Sequence, residues 1–346
     1  MIVEQSVSLQ SHNSFGIVAK ARALVRVRSE ADVQEVLRDA RWRHEPKFVL
    51  GGGSNIVLTG DVKQLVLKVE VTGRRVVDDG PRATIIEAGA GENWHGFVGY
   101  TLEQGHAGLE NLALIPGTVG ASPVQNVGAY GVELQDRFES LDAIDLVTGK
   151  TFTLDASQCA FGYRDSIFKH AAAKDGDFGL AGRALILRVR FRLPKPWKPV
   201  VGYLDLERKI HETGIVQPSA RQIYGWVCAV RSNKLPDPRV LGNAGSFFKN
   251  PTVTPEQCQD IIAREPKIVH YPMPDGTVKL AAGWLIDACG WKGKSVGNAG
   301  VYEKQALVLV NKGGATGGEV VTLARAIQTS VYERFGIRLE PEPVVV

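Results

Sequence analysis

Segment 109–131 constrains the fold of this chain more than any other stretch. It begins as an apolar run and is then interrupted repeatedly by proline, glycine and asparagine, and its single charged residue is Glu110. Such a segment is neither a helix nor a regular strand, and its low charge argues against a surface loop. Because a buried backbone must find hydrogen-bond partners, we expect this segment to line the site of a large flat cofactor.

The composition is that of a globular protein with two or three domains. Of the 346 residues, 44% are hydrophobic and 23% are charged, which excludes a disordered or fibrous chain. The formal net charge of +4 is small and spread along the chain, so it indicates no nucleic-acid-binding patch and only mildly favours anionic ligands. With neither a secretory leader nor a membrane-spanning apolar run in the sequence, we expect a cytoplasmic protein with no membrane partner.

Cysteines and histidines give no sign of a metal site. The four cysteines lie at least thirty residues apart and form no C-x-x-C pair, so we expect free thiols. The seven histidines show no metal-binding spacing, and His95 is interpreted as a packing residue of its helix. The sequence therefore predicts that the chain binds no metal.

Periodicity predicts a strand–helix–strand unit that leads into a glycine cluster. Alternating residues predict a strand at 23–28, a capping box from Ser29 to Asp32 predicts a helix, and a second strand at 47–50 runs into the glycine-rich loop 51–55. This loop fits two interpretations equally, a plain connection or a cradle whose N–H groups hold a pyrophosphate. The G-x-G-x-x-G pattern of doubly wound dinucleotide-binding folds is absent.

The rest of the sequence predicts both strands and helices. We predict strands at 65–69, 83–87, 183–193 and 305–310, a hairpin of 140–147 and 151–154, and helices at 94–105, over 223–230, from Thr254 onward and over 320–335. The proline-rich run 193–199 predicts a linker, with a domain boundary there or shortly after.

Two polar residues are candidates for chemistry. Ser246 lies in a Gly/Asn-rich stretch, 242–251, that is typical either of an ordinary turn or of a sharp bend presenting one hydroxyl. Arg164, beside Tyr163, is either the partner of Asp165 in a surface ion pair or a clamp for a carboxylate. These stretches alone leave both pairs of alternatives open.

Seven segments, taken together and in chain order, resemble the UDP-N-acetylenolpyruvoylglucosamine reductases, the flavoenzymes of bacterial peptidoglycan precursor synthesis. The resemblance covers nearly the whole chain, and the block around Tyr203 is similar to the longer subtype of that family. The matching segments are 51–55 (GGGSN), 89–94 (GAGENW), 115–120 (IPGTVG), 125–131 (QNVGAYG), 161–166 (FGYRDS), 242–251 (GNAGSFFKNP) and 339–342 (LEPE).

The resemblance implies an α+β fold, the FAD-binding fold of the vanillyl-alcohol-oxidase type with a C-terminal α+β substrate-binding domain. Two α/β subdomains, 1–68 and 69–215, would hold FAD, the domain 216–336 would bind substrate, and the C-terminal strand 337–346 would return to the second subdomain. The implied activity is NADPH-dependent reduction of the enolpyruvyl ether of UDP-N-acetylglucosamine to UDP-N-acetylmuramate. The expected form is a monomer without a nucleic-acid partner.

Roles for individual residues follow from the resemblance alone. Arg164 and Glu342 would stabilise an anionic intermediate, and Ser246 would donate a proton to it. The positions that match substrate contacts of the family are Tyr130, Tyr203, Lys234 and Asn250. The positions that would bind FAD are Gly51, Gly52, Gly53, Ser54, Asn55, Gly117, Thr118, Gly120, Ser122, Gln125, Asn126 and Gly128.

The C-terminal sequence departs from the family pattern. The family usually reads Glu-Val-Arg at the catalytic glutamate, whereas Pro343 and Val344 follow Glu342 here, so an expected nucleotide-contacting arginine is missing. Glu340 is a second carboxylate at nearly the same place, which leaves two candidates. Ala288 stands where relatives often have a glutamine that contacts substrate.

Two other functions fit parts of the pattern. Another FAD-dependent oxidase of the same fold would use oxygen and would not need the serine, arginine and glutamate together. A non-enzymatic nucleotide-binding protein would exploit the basic balance, but the sequence has neither an RNP-like aromatic stripe nor a run of Arg and Lys.

Overall fold

The computed structural model describes residues 1–171 and 179–346, which form a mixed structure of strands and helices. The strands within these ranges are β1 Val3–Ser8, β2 Lys20–Val27, β3 Lys47–Leu50, β4 Ile56–Val57, β5 Val62–Val69, β6 Arg74–Asp79, β7 Ala83–Gly89, β8 Gly128–Ala129, β9 Val132–Glu133, β10 Phe138–Asp145, β11 Thr151–Asp155, β12 Ala184–Pro194, β13 Asn243–Ser246, β14 Thr252–Val253, β15 His270–Pro272, β16 Val278–Leu280, β17 Ser295–Val296, β18 Ala299–Val301, β19 Val308–Asn311 and β20 Val344–Val345. The α-helices are α1 Glu30–Arg38, α2 Trp94–Glu103, α3 Leu204–Thr213, α4 Ala220–Lys234, α5 Pro255–Arg264, α6 Ala282–Ala288 and α7 Gly317–Phe335.

The chain divides into two compact units that are interleaved in sequence. Unit 1 comprises Met1–Val7, Ala21–Gly53 and Val62–Arg231, and unit 2 comprises Ser8–Lys20, Ser54–Asp61 and Ser232–Val346. Among the described residues, no helix combines the length and the apolar composition that a membrane crossing requires. The expected domains at 1–68, 69–215 and 216–336 stay a prediction.

Unit 1 contains a sheet of strand order β1-β2-β5-β3, in which β2 and β3 each pair parallel to β5. Helix α1 follows β2 and begins at the predicted capping box, because the Asp32 carboxylate accepts from the Ser29 amide at 2.8 Å. Val33 and Val36 of this helix are buried in the same core as Leu65 and Leu67 of β5. The strands β2, β5 and β3 therefore end at one edge of the sheet, beside the glycine loop that follows Leu50.

A second sheet of unit 1 has the order β11-β10-β12-β7-β6, and its neighbouring strands are antiparallel. The predicted hairpin 140–154 and the predicted strand 183–193 are confirmed as β10, β11 and β12. One face packs on α2, where the Phe191 ring lies 5.0 Å from Phe97 and 5.8 Å from Trp94. The strand β12 continues into the expected linker as far as Pro194, which pairs with Ala83.

Unit 2 is built on the antiparallel sheet β13-β19-β18-β17 and the helix α7, with a smaller sheet β14-β16-β15. The last strand, β20, pairs parallel with β4, whose residues fall within the expected range 1–68. The helix α7 ends at Gly336 in the left-handed conformation, as its sequence predicts. The strand predicted at 305–310 begins only at Val308, because Val308 donates its amide to the Gln305 carbonyl in a turn.

The N-terminus of α7 meets the backbone that follows β4. A Cβ atom at Gly317 would lie under 3.0 Å from the Leu58 carbonyl oxygen, closer than real Cβ atoms approach. A Cβ atom at Gly318 would meet only the Thr316 hydroxyl, at 3.8 Å. The first glycine of the helix is therefore required by packing, whereas the second is not.

We expect Gly317→Ala to lower the free energy of unfolding by about 3 kcal/mol, because either the helix or the 57–59 backbone must move. The neighbouring control, Gly318→Ala, should leave stability unchanged or raise it by up to about 1 kcal/mol, since alanine favours helix. Urea unfolding followed by tryptophan fluorescence measures both. Equal midpoints for the two variants would contradict the close approach of α7 to Leu58.

Candidate active site

Two glycine segments of unit 1 are in backbone contact. A Cβ atom at Gly52 would lie 2.8 Å from the Gly117 Cα, and one at Gly51 would lie 2.9 Å from the Thr118 hydroxyl. Within the described ranges, the hydroxyl oxygen of Thr118 is buried without a hydrogen-bond partner. The amides of Gly52 and Gly53 donate to no group among the described residues. Close approach without side chains leaves these polar groups available to a ligand.

The start of α2 holds the segment 109–131 in place. The Trp94 indole donates to the Leu112 carbonyl at 2.8 Å, and the Trp94 amide donates to the Gly117 carbonyl at 3.1 Å. The His95 Nδ1 accepts a hydrogen bond from the Leu114 amide at 3.0 Å, and Leu114 has a φ of +58°. Burial lowers the pKa of His95, and the charge of Arg231 lowers it further. A neutral imidazole is the form that can accept this bond.

Inside segment 109–131, side chains form hydrogen bonds with backbone groups whose partners could not be predicted from the sequence. The Ser122 hydroxyl donates to the Val119 carbonyl at 2.7 Å. The fully buried Asn126 has a φ of +44°, and its Nδ2 donates to Glu133 at 2.9 Å and to the Gly162 carbonyl at 3.1 Å. The irregular path that the sequence predicts is confirmed, with short 3₁₀ helices at Glu110–Leu112 and Val119–Ala121.

Arg164 has a strained backbone and a fixed guanidinium. Its φ is +55°, a conformation that non-glycine residues rarely adopt and that often marks a functional position. The Arg164 Nη2 donates to the Gly128 carbonyl at 3.0 Å, and the guanidinium carbon lies 5.4 Å from the Tyr163 ring centre. A Cβ atom at Gly128 would press on both Glu133 and Arg164. The Asp165 carboxylate lies 2.8 Å from His170.

Tyr130 and Tyr203 lie together in unit 1, with ring centres 5.1 Å apart. Burial raises the pKa of Tyr130 to about 12, so its phenol stays protonated at neutral pH. The Asn111 Nδ2 donates hydrogen bonds to the Tyr130 carbonyl at 2.8 Å and to the Val200 carbonyl at 2.9 Å. Arg231, on α4, hydrogen-bonds to Tyr130, and its buried Nε has no partner among the described residues.

The sequence did not single out Asn111 or Arg231. A signal existed for Arg231, which is a cation on an otherwise apolar helical face, one turn before Lys234. Burial lowers the pKa of Arg231, and the nearby Tyr130 opposes this effect. For Asn111 no local signal existed, because its role depends on two carbonyls that are 19 and 89 residues away in the chain.

Ser246 lies at the end of a bulged strand instead of an ordinary turn. The pairing of β13 with β19 is irregular between Asn243 and Ser246, and Gly245 has a φ of +72°. The Asn243 side chain accepts from the Gly245 amide at 2.9 Å. A bulge of this kind changes the direction in which the next side chain points, and it leaves Ser246 half-buried.

The C-terminal segment runs beside the residues that follow Ser246. The Glu342 amide donates to the Phe247 carbonyl at 2.9 Å, and Phe248 forms an antiparallel bridge with Pro341. Glu342 is only 8% exposed. Glu340, in contrast, is exposed, and its carboxylate lies 2.6 Å from the Lys249 ammonium. The structure thus places the backbone of Glu342 against Phe247, the residue after Ser246, within unit 2, whereas Arg164 belongs to unit 1.

Three other expected site residues of unit 2 lie in separate segments of the chain. The Asn250 Oδ1 accepts from the Ala282 amide at 3.0 Å, at the start of α6. Lys234 is the exposed last residue of α4. Asn55 donates through its side chain to the Glu342 carbonyl at 3.2 Å. Val344, at the position of the missing arginine, is exposed in β20.

Comparisons with known proteins agree with these features. A family model described as "FAD binding domain" matches residues 21–155, and one described as "UDP-N-acetylenolpyruvoylglucosamine reductase, C-terminal domain" matches residues 237–346. The UDP-N-acetylenolpyruvoylglucosamine reductase of Azoarcus sp. (strain BH72) is 57% identical over 338 residues, which are 96% of this chain and 95% of that protein. The chain belongs to the UDP-N-acetylenolpyruvoylglucosamine reductase family.

A second relative and a solved structure extend the comparison. The UDP-N-acetylenolpyruvoylglucosamine reductase of Burkholderia multivorans is 57% identical over 338 residues, covering 97% of this chain and 95% of that protein. The crystal structure of the UDP-N-acetylenolpyruvylglucosamine reductase of Thermus caldophilus shares the fold, with a TM-score of 0.67 at 24% identity, over 100% of this chain and 99% of that one. The predicted α+β FAD-binding fold is confirmed, and this member of the reductase family is an FAD-dependent oxidoreductase.

The glycine segments of this family member fit the pyrophosphate of FAD. Their unused amides and the unpartnered Thr118 hydroxyl are donors suited to phosphate oxygens. All four cysteines are free, as predicted.

We expect Gly52→Ala to weaken FAD binding by about tenfold or more, because the added Cβ would force the two glycine segments apart. A fluorescence titration of the apo-protein with FAD measures the dissociation constant. The control is Gly60→Ala, since a Cβ at Gly60 meets no atom within 4 Å. If Gly52→Ala binds FAD with unchanged affinity, the pyrophosphate of FAD does not lie at these two glycine segments.

Proposed function

We propose that this protein reduces the enolpyruvyl ether of UDP-N-acetylglucosamine to UDP-N-acetylmuramate, with NADPH as the electron donor, in cytoplasmic peptidoglycan precursor synthesis. The single observation that carries the proposal is the 57% identity to a protein named for this reduction, over nearly the full length of both chains. The half-buried Ser246 supports it, together with the buried Glu342 whose backbone bonds to the next residue, because the reaction needs a proton donor and a polar partner for it.

The reaction adds a hydride and a proton across a carbon–carbon double bond. Held at segments 51–55 and 117–128, FAD would supply the hydride that adds to the terminal carbon of the enolpyruvyl group, with NADPH as the source of the two electrons. This addition leaves negative charge on the carbon beside the substrate carboxylate, and that charge is shared with the carboxylate. The protein must therefore stabilise an anion and then protonate a carbon.

Ser246 is the proposed proton donor. A serine hydroxyl is a weak acid in water, but a carbanion-like carbon is a strong base that takes its proton when the hydroxyl is held close. The bulge at Gly245 supports this role, because it fixes the backbone immediately before Ser246. Solvent then returns a proton to the serine.

Arg164 and Glu342 are the proposed partners of the anion. The guanidinium of Arg164 is fixed by the Gly128 carbonyl and suits a planar carboxylate. The burial of Glu342 favours it over Glu340, since Glu340 is exposed and already paired with Lys249. A buried acidic group is the kind whose protonation a protein can control.

Four further side chains are the proposed contacts of the UDP-sugar: Tyr130, Tyr203, Lys234 and Asn250. Lys234 is exposed at a helix end, where an ammonium suits a pyrophosphate. Tyr130 remains a neutral hydrogen-bond donor because burial keeps its pKa near 12. Segments 51–55 and 117–128 are the proposed FAD contacts, and we propose that the protein acts as a monomer.

We expect Ser246→Ala to lower kcat by about 10²- to 10⁴-fold, the usual contribution of a positioned general acid. Without the UDP-sugar, NADPH should reduce the flavin of this variant at the wild-type rate. The decrease in flavin absorbance measures that rate. The control is Ser295→Ala, an exposed serine of the same sheet. Wild-type turnover in Ser246→Ala would remove the proton-donor role.

We expect Glu342→Gln to lower kcat at least about 100-fold, since it replaces the buried carboxyl group that we propose as a partner of the anion. Glu340→Gln, two residues away, should change kcat by less than about twofold, because the Glu340 side chain is exposed and its carboxylate is already paired with Lys249. NADPH oxidation in the presence of the enolpyruvyl UDP-sugar measures both variants. The opposite order of effects would assign the catalytic carboxylate to Glu340.

A further inference from the structure

Lys68 lies at the edge of the parallel sheet where the glycine loop begins. It is on β5, and its register partners are Arg26 on β2 and Leu50 on β3, the residue before Gly51. In open parallel sheets, ligands bind beyond the carboxyl ends of the strands. Lys68 is therefore a charged side chain near the end of β5, next to the expected FAD loop.

The side chain of Lys68 binds the loop directly. Its ammonium donates to the Gly51 carbonyl, which is the only hydrogen-bond acceptor that the described residues give it. Burial lowers the pKa of Lys68, and Glu70 partly opposes this effect while Arg26 adds to it. Glu70 is itself 2.7 Å from Arg26 and 3.5 Å from Arg28, and Arg26 also pairs with Glu4 at 2.8 Å. Within the described ranges, no carboxylate therefore forms an ion pair with Lys68.

Fixing the Gly51 carbonyl also fixes the Gly52 amide. The two groups belong to one planar peptide unit, in which the C=O and the N–H point in opposite directions. Glycines on both sides make rotation of this peptide unit easy. Without a donor, the half-buried carbonyl of Gly51 can turn toward the ligand, where its oxygen would repel a phosphate.

We propose that Lys68 is a positioning residue for FAD, which holds the Gly51 carbonyl so that the Gly52 amide faces the flavin pyrophosphate. Its positive charge also polarises this peptide unit and strengthens the amide as a donor. The inference rests on the proposed place of the pyrophosphate at loop 51–55. It does not depend on which substrate the reduced flavin serves.

The test compares FAD affinity among lysine variants of the apo-protein. In a fluorescence titration, Lys68→Met should weaken FAD binding by about 10- to 100-fold, the range expected for losing a charged hydrogen bond. Lys68→Arg, which keeps the charge, should bind more tightly than Lys68→Met. The control, Lys63→Met, removes an exposed lysine of the same strand and should bind FAD as the wild type does. Equal affinities of Lys68→Met and Lys63→Met would overturn the proposal.

A second measurement does not require the methionine variant to fold. The FAD dissociation constants of the wild type and of Lys68→Arg are compared from about pH 7 to about pH 10. Since burial lowers the pKa of Lys68, the wild type loses its ammonium as pH rises, whereas the arginine stays charged. Wild-type affinity should therefore fall relative to that of Lys68→Arg. A constant ratio across this range would overturn the proposal.

Gly52→Ala separates this inference from the placement on which it rests. If Gly52→Ala weakens FAD binding and Lys68→Met does not, the loop holds the pyrophosphate but Lys68 does not orient it. If neither variant affects FAD, the placement at loop 51–55 is itself wrong. Neither titration contains the UDP-sugar, so both outcomes are independent of the proposed reaction.

Discussion

The backbone contact between segments 51–53 and 117–120 is the constraint on which unit 1 depends. Gly52 approaches Gly117, and Gly120 approaches Ala90, at distances that exclude a side chain on either glycine. A contact between bare backbones buries polar groups, so each must be matched by a donor or acceptor. Much of what surrounds these segments supplies such partners, from the indole of Trp94 to the amide of Asn126.

In unit 2, backbone groups near Ser246 find hydrogen-bond partners through a β-bulge and through the C-terminal segment. Gly245 accepts the left-handed conformation that the bulge requires, and the Glu342 amide satisfies the Phe247 carbonyl. Glu342, which makes this contact through its amide, is itself buried. This hydrogen bond therefore holds the segment of Glu342 against the residue that follows Ser246, although nearly one hundred residues of sequence separate Ser246 and Glu342.

Much of the fold could be predicted because its signals are local. The capping box at Ser29, the hairpin 140–154 and the glycine that ends α7 depend on neighbouring residues, and the structure contains all three. The strand at 305–310 was predicted three residues too early, because an apolar run does not reveal a turn stabilised by its own backbone.

The candidate site was only partly predictable. Glycine clusters and family-like segments identified Gly52, Arg164 and Ser246 as candidates, whereas the proposed preference for Glu342 over Glu340 rests on burial, which the sequence does not reveal. Lys68 and Asn111 carry no signal in sequence, since each acts on a carbonyl that only the folded chain brings near.

The pairing of β4 with β20 joins two segments that are synthesised at very different times. Asn55 accepts from the Val344 amide at 3.0 Å, although almost three hundred residues separate them. A ribosome releases residue 55 long before it adds residue 344, and domains usually fold in order of synthesis. The hydrogen bond at the Asn55 carbonyl can therefore form only after residue 344 has been synthesised. Flavin loading that uses residue 55 in its final position must therefore follow the synthesis of residue 344.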